Sequence, residues 1–189
     1  MTLMNSGIAL LITPFIPAII RRLGKKTVFQ WCGMFTVVGG VSLFFTPVGG
    51  LALALIFLAV KGIGASLINT VMFGLEADTV EYGEWKSGKR SEGATYAIFS
   101  FTRKVTQSIG GALGAWMLAF GGYLSATSTN PNPAQPDSAI WAIRFTIGLL
   151  PAMCATIAMV IFWKYPLTAK IFAQIRTDTE AAKAAPVAG

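Results

Sequence analysis

The chain contains no histidine. That absence removes imidazole-ligated zinc, the Ser-His-Asp triad and the commonest general acid/base together, so hydrolytic and metal-assisted chemistry lose their usual residues. Charge is scarce as well. Only 12% of the 189 residues are charged, about half of the roughly 25% that coats a typical soluble domain. A water-facing globule is excluded by that shortage. Cysteine is limited to Cys32 and Cys154, both inside apolar runs, where they act as small hydrophobes and supply no disulfide framework. Acids number 8 against 15 bases, a net charge of +7. In a soluble domain that excess would suggest nucleic acid. In an apolar chain the placement of the positive residues matters more than their sum, and no nucleic-acid partner is expected.

What is abundant is apolar surface: 54% of residues are hydrophobic and the mean hydropathy is +0.63. Five apolar runs, at about 3–20, 28–46, 51–74, 95–123 and 140–163, are each long enough to cross about 30 Å of hydrocarbon. The fold class expected is therefore all-α, a polytopic transmembrane helical bundle filling residues 1–176, with an Ala-rich tail, 177–189, expected to fray. The first run carries its positive residues, Arg21, Arg22, Lys25 and Lys26, after the apolar stretch, the reverse of a signal peptide. Basic residues recur between the third and fourth runs and in the tail, whereas 47–50 is uncharged and 124–138 carries only Asp137. By the positive-inside rule the N-terminus lies outside and the C-terminus in the cytoplasm. An odd number of spans with an exported start reads as the end of something longer.

Several polar residues interrupt the runs. Lys61 sits near the middle of the third, about 17 Å of helix from either end, where an ammonium costs about 2.5–3.5 kcal/mol on insertion scales. Helical spacing places it on one stripe with Ala65, Asn69, Met72 and Glu76. Either that stripe lines a solute pathway, or Lys61 snorkels while Asn69 bonds a neighbouring helix. In the fourth run Lys104, Ser100, Gln107 and Ser108 share a face with Arg103 beside it, forming either a solvated wall for anions or hydroxyls or a set of headgroup anchors. Gly110 and Gly114 form a G-x-x-x-G pair, expected to allow close helix approach. Trp31, Trp116, Trp141 and Trp163 read as belt or lipid-facing residues. Five of the eight acids, Glu76, Asp78, Glu81, Glu84 and Glu92, fall in 76–93 with Lys86, Lys89 and Arg90. This segment reads as a charged loop folded on itself by local ion pairs.

Within that loop and after it run four blocks. They are Ala77-Asp78-Thr79-Val80-Glu81-Tyr82-Gly83-Glu84, Lys89-Arg90-Ser91-Glu92-Gly93, Ser100-Phe101-Thr102-Arg103-Lys104 with Gln107-Ser108-Ile109-Gly110-Gly111, and Tyr165-Pro166-Leu167-Thr168. In this order they resemble the glycoside-pentoside-hexuronide:cation symporters of the major facilitator superfamily, nearest the glucuronide and xyloside carriers. The resemblance implies that the chain corresponds to the last five of twelve helices. It also implies sugar bound at the midplane between two six-helix bundles, and alternating access by rocking. A helix-eleven lysine at the sugar and cation region corresponds to Lys104, with Phe99 and Ser100 as neighbours, Gln107 on the same helix and Asn69 where the melibiose carrier has a tryptophan. Asp78, Glu81, Glu84, Arg90, Glu92 and Arg103 are assigned to a cytoplasmic gate that pairs with the opposite bundle, and Lys61 to the pathway.

The partners implied are membrane lipid, a sugar or glycoside, a coupling Na+ or H+ whose main site belongs to the N-terminal half, and that N-terminal bundle itself. No cofactor is expected. The function expected is that of a C-terminal piece of a sugar:cation symporter. The competing reading is a non-transporting membrane module that packs on another helical protein. With no nucleophile, base and orienting group converging, an enzyme is not expected.

Overall fold

The computed structural model describes residues 16–47, 49–165 and 169–184. These form an all-helical chain. α1 spans Ile16–Leu23, α2 Lys25–Phe44, α3 Leu51–Ser87, α4 Glu92–Phe120 and α5 Asp137–Arg144. A π-helical turn, Phe145–Leu149, leads into α6, Leu150–Trp163, and α7 covers Ala169–Ala184. Most of the first expected span, up to residue 15, lies outside the described residues.

Three helical stretches among the described residues are long and apolar enough to cross a membrane: Lys25–Phe44, Leu51–Ser87 and Asp137–Trp163. Their large apolar residues face outward, among them Trp31, Phe35, Ile56, Ile157, Ile161 and Trp163. In water such a surface would aggregate. In lipid it is the solvated surface. α4 is 29 residues long and carries Arg103 and Lys104 in mid-helix.

Two expectations change here. The segment 76–93, read as a loop, is helical as far as Ser87, because α3 runs 37 residues without a break. Charge does not stop a helix. A left-handed residue does: Gly88, at φ 68°, donates its N–H to the Glu84 carbonyl and closes α3. The connection to α4 is thus only 88–91, and Asp78, Glu81 and Glu84 are helix residues. At about 1.5 Å per residue α3 is near 55 Å long, so its charged last turns project beyond a 30 Å hydrocarbon layer. The tail expected to fray is also helical: α7 runs through Ala184, with Ile175 only 2% exposed and Trp85 Nε1 donating to Asp178 Oδ2 at 3.3 Å. Residues 185–189 lie outside the described part.

Close packing centres on α2. A Cβ at Gly39 would meet the Lys61 backbone nitrogen at 2.6 Å, one at Gly64 the Cys32 carbonyl oxygen at 2.5 Å, and one at Gly40 the Gly148 carbonyl oxygen at 2.6 Å. Small residues here let backbones touch, which is how helices gain dispersion energy where lipid gives no hydrophobic drive. The G-x-x-x-G pair of α4 does not act in this way among the described residues. None of them approaches a Cβ at Gly110 within 4 Å, and Gly114 meets only the Thr146 methyl at 3.9 Å. Gly121 supplies the close contact at that end of α4, against Ala142 and Ser138.

The π turn has a visible cause. Pro151 lacks an N–H and its ring crowds the carbonyl four residues back, so the helix widens and Leu150 N–H bonds to the Phe145 carbonyl, five residues back. The Ile147 carbonyl, which a residue other than proline at 151 would have satisfied, receives the Lys61 ammonium from α3.

Candidate functional site

Midway along α3 and one third of the way along α4, the two helices separate enough to leave a cleft of about 420 Å³. α3 contributes Asn69 and Met72. α4 contributes Phe99, Thr102, Arg103, Thr106 and Gln107. The α4 residues recur at three- and four-residue steps, the spacing that keeps side chains on one helical face. Arg103 Nη2 donates to Asn69 Oδ1 at 3.1 Å, and the guanidinium lies 5.1 Å from the Phe73 ring centre, within cation–π range. Phe73 and Phe99 are 6.4 Å apart. The cleft therefore combines one fixed cation, two amides, two hydroxyls and an apolar floor.

Of the residues proposed from sequence, Asn69, Phe99 and Gln107 line this cleft, and so does Arg103, which the sequence reading groups with the gate. Lys104 and Ser100 do not. Both lie on the exposed face of α4, one helical step of about 100° round from the cleft wall. Ser108 turns back to the Lys104 carbonyl at 3.0 Å. No residue of α4 is buried by the described chain. Thr102 and Thr106 are not among the site residues proposed from sequence, although their spacing from Phe99 and Arg103 carries the signal.

Lys61 is held elsewhere. Its bond to the Ile147 carbonyl points it toward the last span, so the stripe from Lys61 to Glu76 is not one continuous lining. Asn69 and Met72 face α4, and Glu76 is buried.

A second charged constellation occupies the far end of α3. Lys25 Nζ donates to Asp78 Oδ1 at 2.6 Å and to the Gly74 carbonyl at 2.9 Å, with its cation 5.5 Å from the Phe172 ring of α7. Asp78 is 7% exposed, so its charge is stable there only with such a partner. Lys26 Nζ donates to the carbonyls of Trp163 and Tyr165 at 2.8 and 3.1 Å, capping the C-terminus of α6 where the helix dipole favours a cation. The Tyr165 ring stacks on Phe162 at 4.5 Å, and Phe162 lies 4.2 Å from Phe29. Burial first, and then the Asp78 charge, push the Tyr165 phenol above its ordinary pKa. Among the described residues its hydroxyl finds no hydrogen-bond partner, nor does Glu81 Oε2.

Across the short turn, Arg90 bonds Glu84 at 2.9 Å and Glu92 at 3.2 Å, tying the end of α3 to the start of α4. Those two hydrogen bonds, the Glu92 bond above all, raise the Arg90 pKa. The acids and bases assigned to a gate thus find partners inside the chain: Asp78 with Lys25, and Glu84 and Glu92 with Arg90. In the sequence Lys25 and Lys26 read only as topology determinants.

The family described as MFS/sugar transport protein matches residues 1–169. The chain belongs to this family. The MFS family membership agrees with the resemblance carried by the blocks from Ala77 to Thr168, and it places the chain among multi-pass membrane carriers and not among enzymes. The chain is 41% identical over 167 residues, 88% of its length, to the glucuronide carrier protein homolog of Escherichia coli K12. It is 36% identical over 169 residues to a putative 2,3-dihydroxypropane-1-sulfonate exporter of the same organism, covering 89% of the chain. A putative sulfoquinovose importer of Salmonella typhimurium is 34% identical over 163 residues, 85% of the chain. These matches cover 35%, 35% and 33% of the relatives, so the chain spans about a third of their length.

Proposed function

We propose that the chain supplies the C-terminal part of a sugar:cation symporter of the glycoside, glucuronide or pentoside type, working by alternating access in the bacterial inner membrane. The observation that carries this reading is the cleft built from Asn69, Phe99, Thr102, Arg103, Thr106 and Gln107. It combines amide and hydroxyl groups that both donate and accept with an apolar floor suited to the face of a sugar ring. Relatives named as a glucuronide carrier homolog, a sulfoquinovose importer and an inner membrane symporter support the same class.

In this reading the exposed face of α4, with Ser100, Lys104 and Ser108, meets the N-terminal bundle across the solute pathway. The coupling Na+ or H+ is bound chiefly by that other bundle. The basic link of Arg21 to Lys26 and the tail face the cytoplasm, and the Lys25–Asp78 and Glu84–Arg90–Glu92 pairs form the inner gate. These pairs break and exchange partners with the opposite bundle as the halves rock.

Labelled glycoside uptake tests it, in proteoliposomes holding the chain together with its N-terminal bundle, with and without a sodium or proton gradient. Gradient-dependent uptake abolished by Lys104→Ala, with insertion intact, is the expected result. Uptake indifferent to either gradient would remove the cation coupling and leave an uncoupled carrier, and the absence of uptake would leave a non-transporting interaction module.

A further inference from the structure

We propose that Arg103 selects an acidic solute: its guanidinium binds the carboxylate or sulfonate of a polyhydroxylated anion, while Asn69, Thr102, Thr106 and Gln107 take the hydroxyls. This inference rests on the carrier reading and specifies its solute. It begins from charge. The residues that line the cleft include one cation and no acid.

The cations near the charged end are engaged differently. Lys25 has Asp78, and Arg90 has Glu84 and Glu92. Arg103 makes no ion pair among the described residues. Its neighbours are neutral: an amide oxygen at 3.1 Å and an aromatic face at 5.1 Å. Both orient the guanidinium and neither cancels its charge.

The geometry also preserves donors. A guanidinium carries five N–H groups in a planar fork, and Asn69 engages one nitrogen, Nη2. The remaining edge matches the two oxygens of a carboxylate, or two of the three of a sulfonate, in a bidentate pair. A cation without an ion pair inside a 29-residue helix of a membrane chain is costly. An incoming anion offsets that cost, and a neutral sugar does not. Asn69 thus acts as a positioning residue that holds the fork in place before the solute arrives.

Two probes that differ at one carbon test this. Methyl β-glucuronide carries a carboxylate where methyl β-glucoside carries a hydroxymethyl group. Equilibrium binding of both is measured to the chain together with its N-terminal bundle in lipid nanodiscs, with helicity and thermal midpoint checked for every variant. The wild type is expected to bind the glucuronide at least about 10-fold more tightly. Arg103→Gln is expected to lose roughly 10- to 100-fold for the glucuronide, the range of a charge-assisted bond, and to change glucoside binding little. Arg103→Lys, which keeps the charge and loses the fork, is expected to fall between them.

Equal affinity of the wild type for the two probes overturns the inference without recourse to any variant. So does an unchanged preference in Arg103→Gln, and in both cases measurable sugar binding leaves the carrier reading standing. Binding of neither probe to the wild type overturns the carrier reading and the inference together.

Discussion

Replacing Lys61 with methionine removes an ammonium of similar reach from the middle of α3 and tests why a cation is tolerated there. In the fold the amine donates to the Ile147 carbonyl, the group that Pro151 cannot satisfy because it has no N–H. Losing that donor in a water-poor setting costs about 1–3 kcal/mol. The opposing effect is the relief of holding a charge within the bilayer, about 2.5–3.5 kcal/mol on insertion scales. That relief is felt whether α3 is docked or merely inserted, so it largely cancels from the docking equilibrium. The net expectation is a weakening of helix association by about 1–2 kcal/mol, roughly 5- to 30-fold, with easier insertion of the isolated span.

A double-mutant cycle isolates the cause. Pro151→Ala restores an N–H able to reach Ile147, so Lys61→Met should cost much less in that background. The difference between backgrounds should be about 1 kcal/mol or more. Detergent-titrated unfolding followed by the fluorescence of the five tryptophans gives the four free energies. If Lys61→Met costs the same in the wild type and in the Pro151→Ala background, the lysine does not serve the proline-freed carbonyl and the reasoning fails.

Gly40→Ala drives a methyl to 2.6 Å from the Gly148 carbonyl oxygen and is expected to lower the thermal midpoint through a separation costing about 1–3 kcal/mol. Gly110→Ala meets nothing within 4 Å among the described residues and is expected to leave the isolated chain's midpoint unchanged. Tyr165→Phe removes a buried hydroxyl that makes no hydrogen bond among the described residues, so stability at neutral pH is expected to hold or rise slightly. The same variant bears on alkaline behaviour. A phenol whose folded pKa is raised contributes stability that is complete below its ordinary value near 10 and is lost as pH climbs through the folded value. Wild-type stability should therefore fall in a pH titration above about 10, and Tyr165→Phe should flatten that limb. Asp78→Asn leaves Lys25 with only the Gly74 carbonyl and Phe172. It is expected to loosen α7 from α3, read as faster amide exchange or proteolysis in residues 169–184.

Composition and periodicity determine that this chain lives in lipid, because a sequence with so few charges cannot clothe itself in water. They also set the helical class, since only helices satisfy every backbone group within one apolar run. The four blocks from Ala77 to Thr168 carry the resemblance to the family in the sequence alone. What the linear order left open was rotation and reach. Arg103 and Lys104 are adjacent in the chain, yet about 100° apart on the helix, and only the packing of α4 against α3 turns one into the cleft and the other onto the uncovered face.

The same limit applies to Lys61, whose partner carbonyl lies 86 residues away, and to Asp78, whose counter-charge on Lys25 lies 53 residues back. Dense charge also looks like a loop when read along the chain. It became further turns of α3 because no residue before Gly88 breaks the helix. Local forces are written in neighbouring residues, so the sequence determines the elements and the medium they occupy. Which side chains meet depends on how rigid helices rotate and interlock, and that is decided only when the backbones touch at Gly39, Gly40, Gly64 and Gly148.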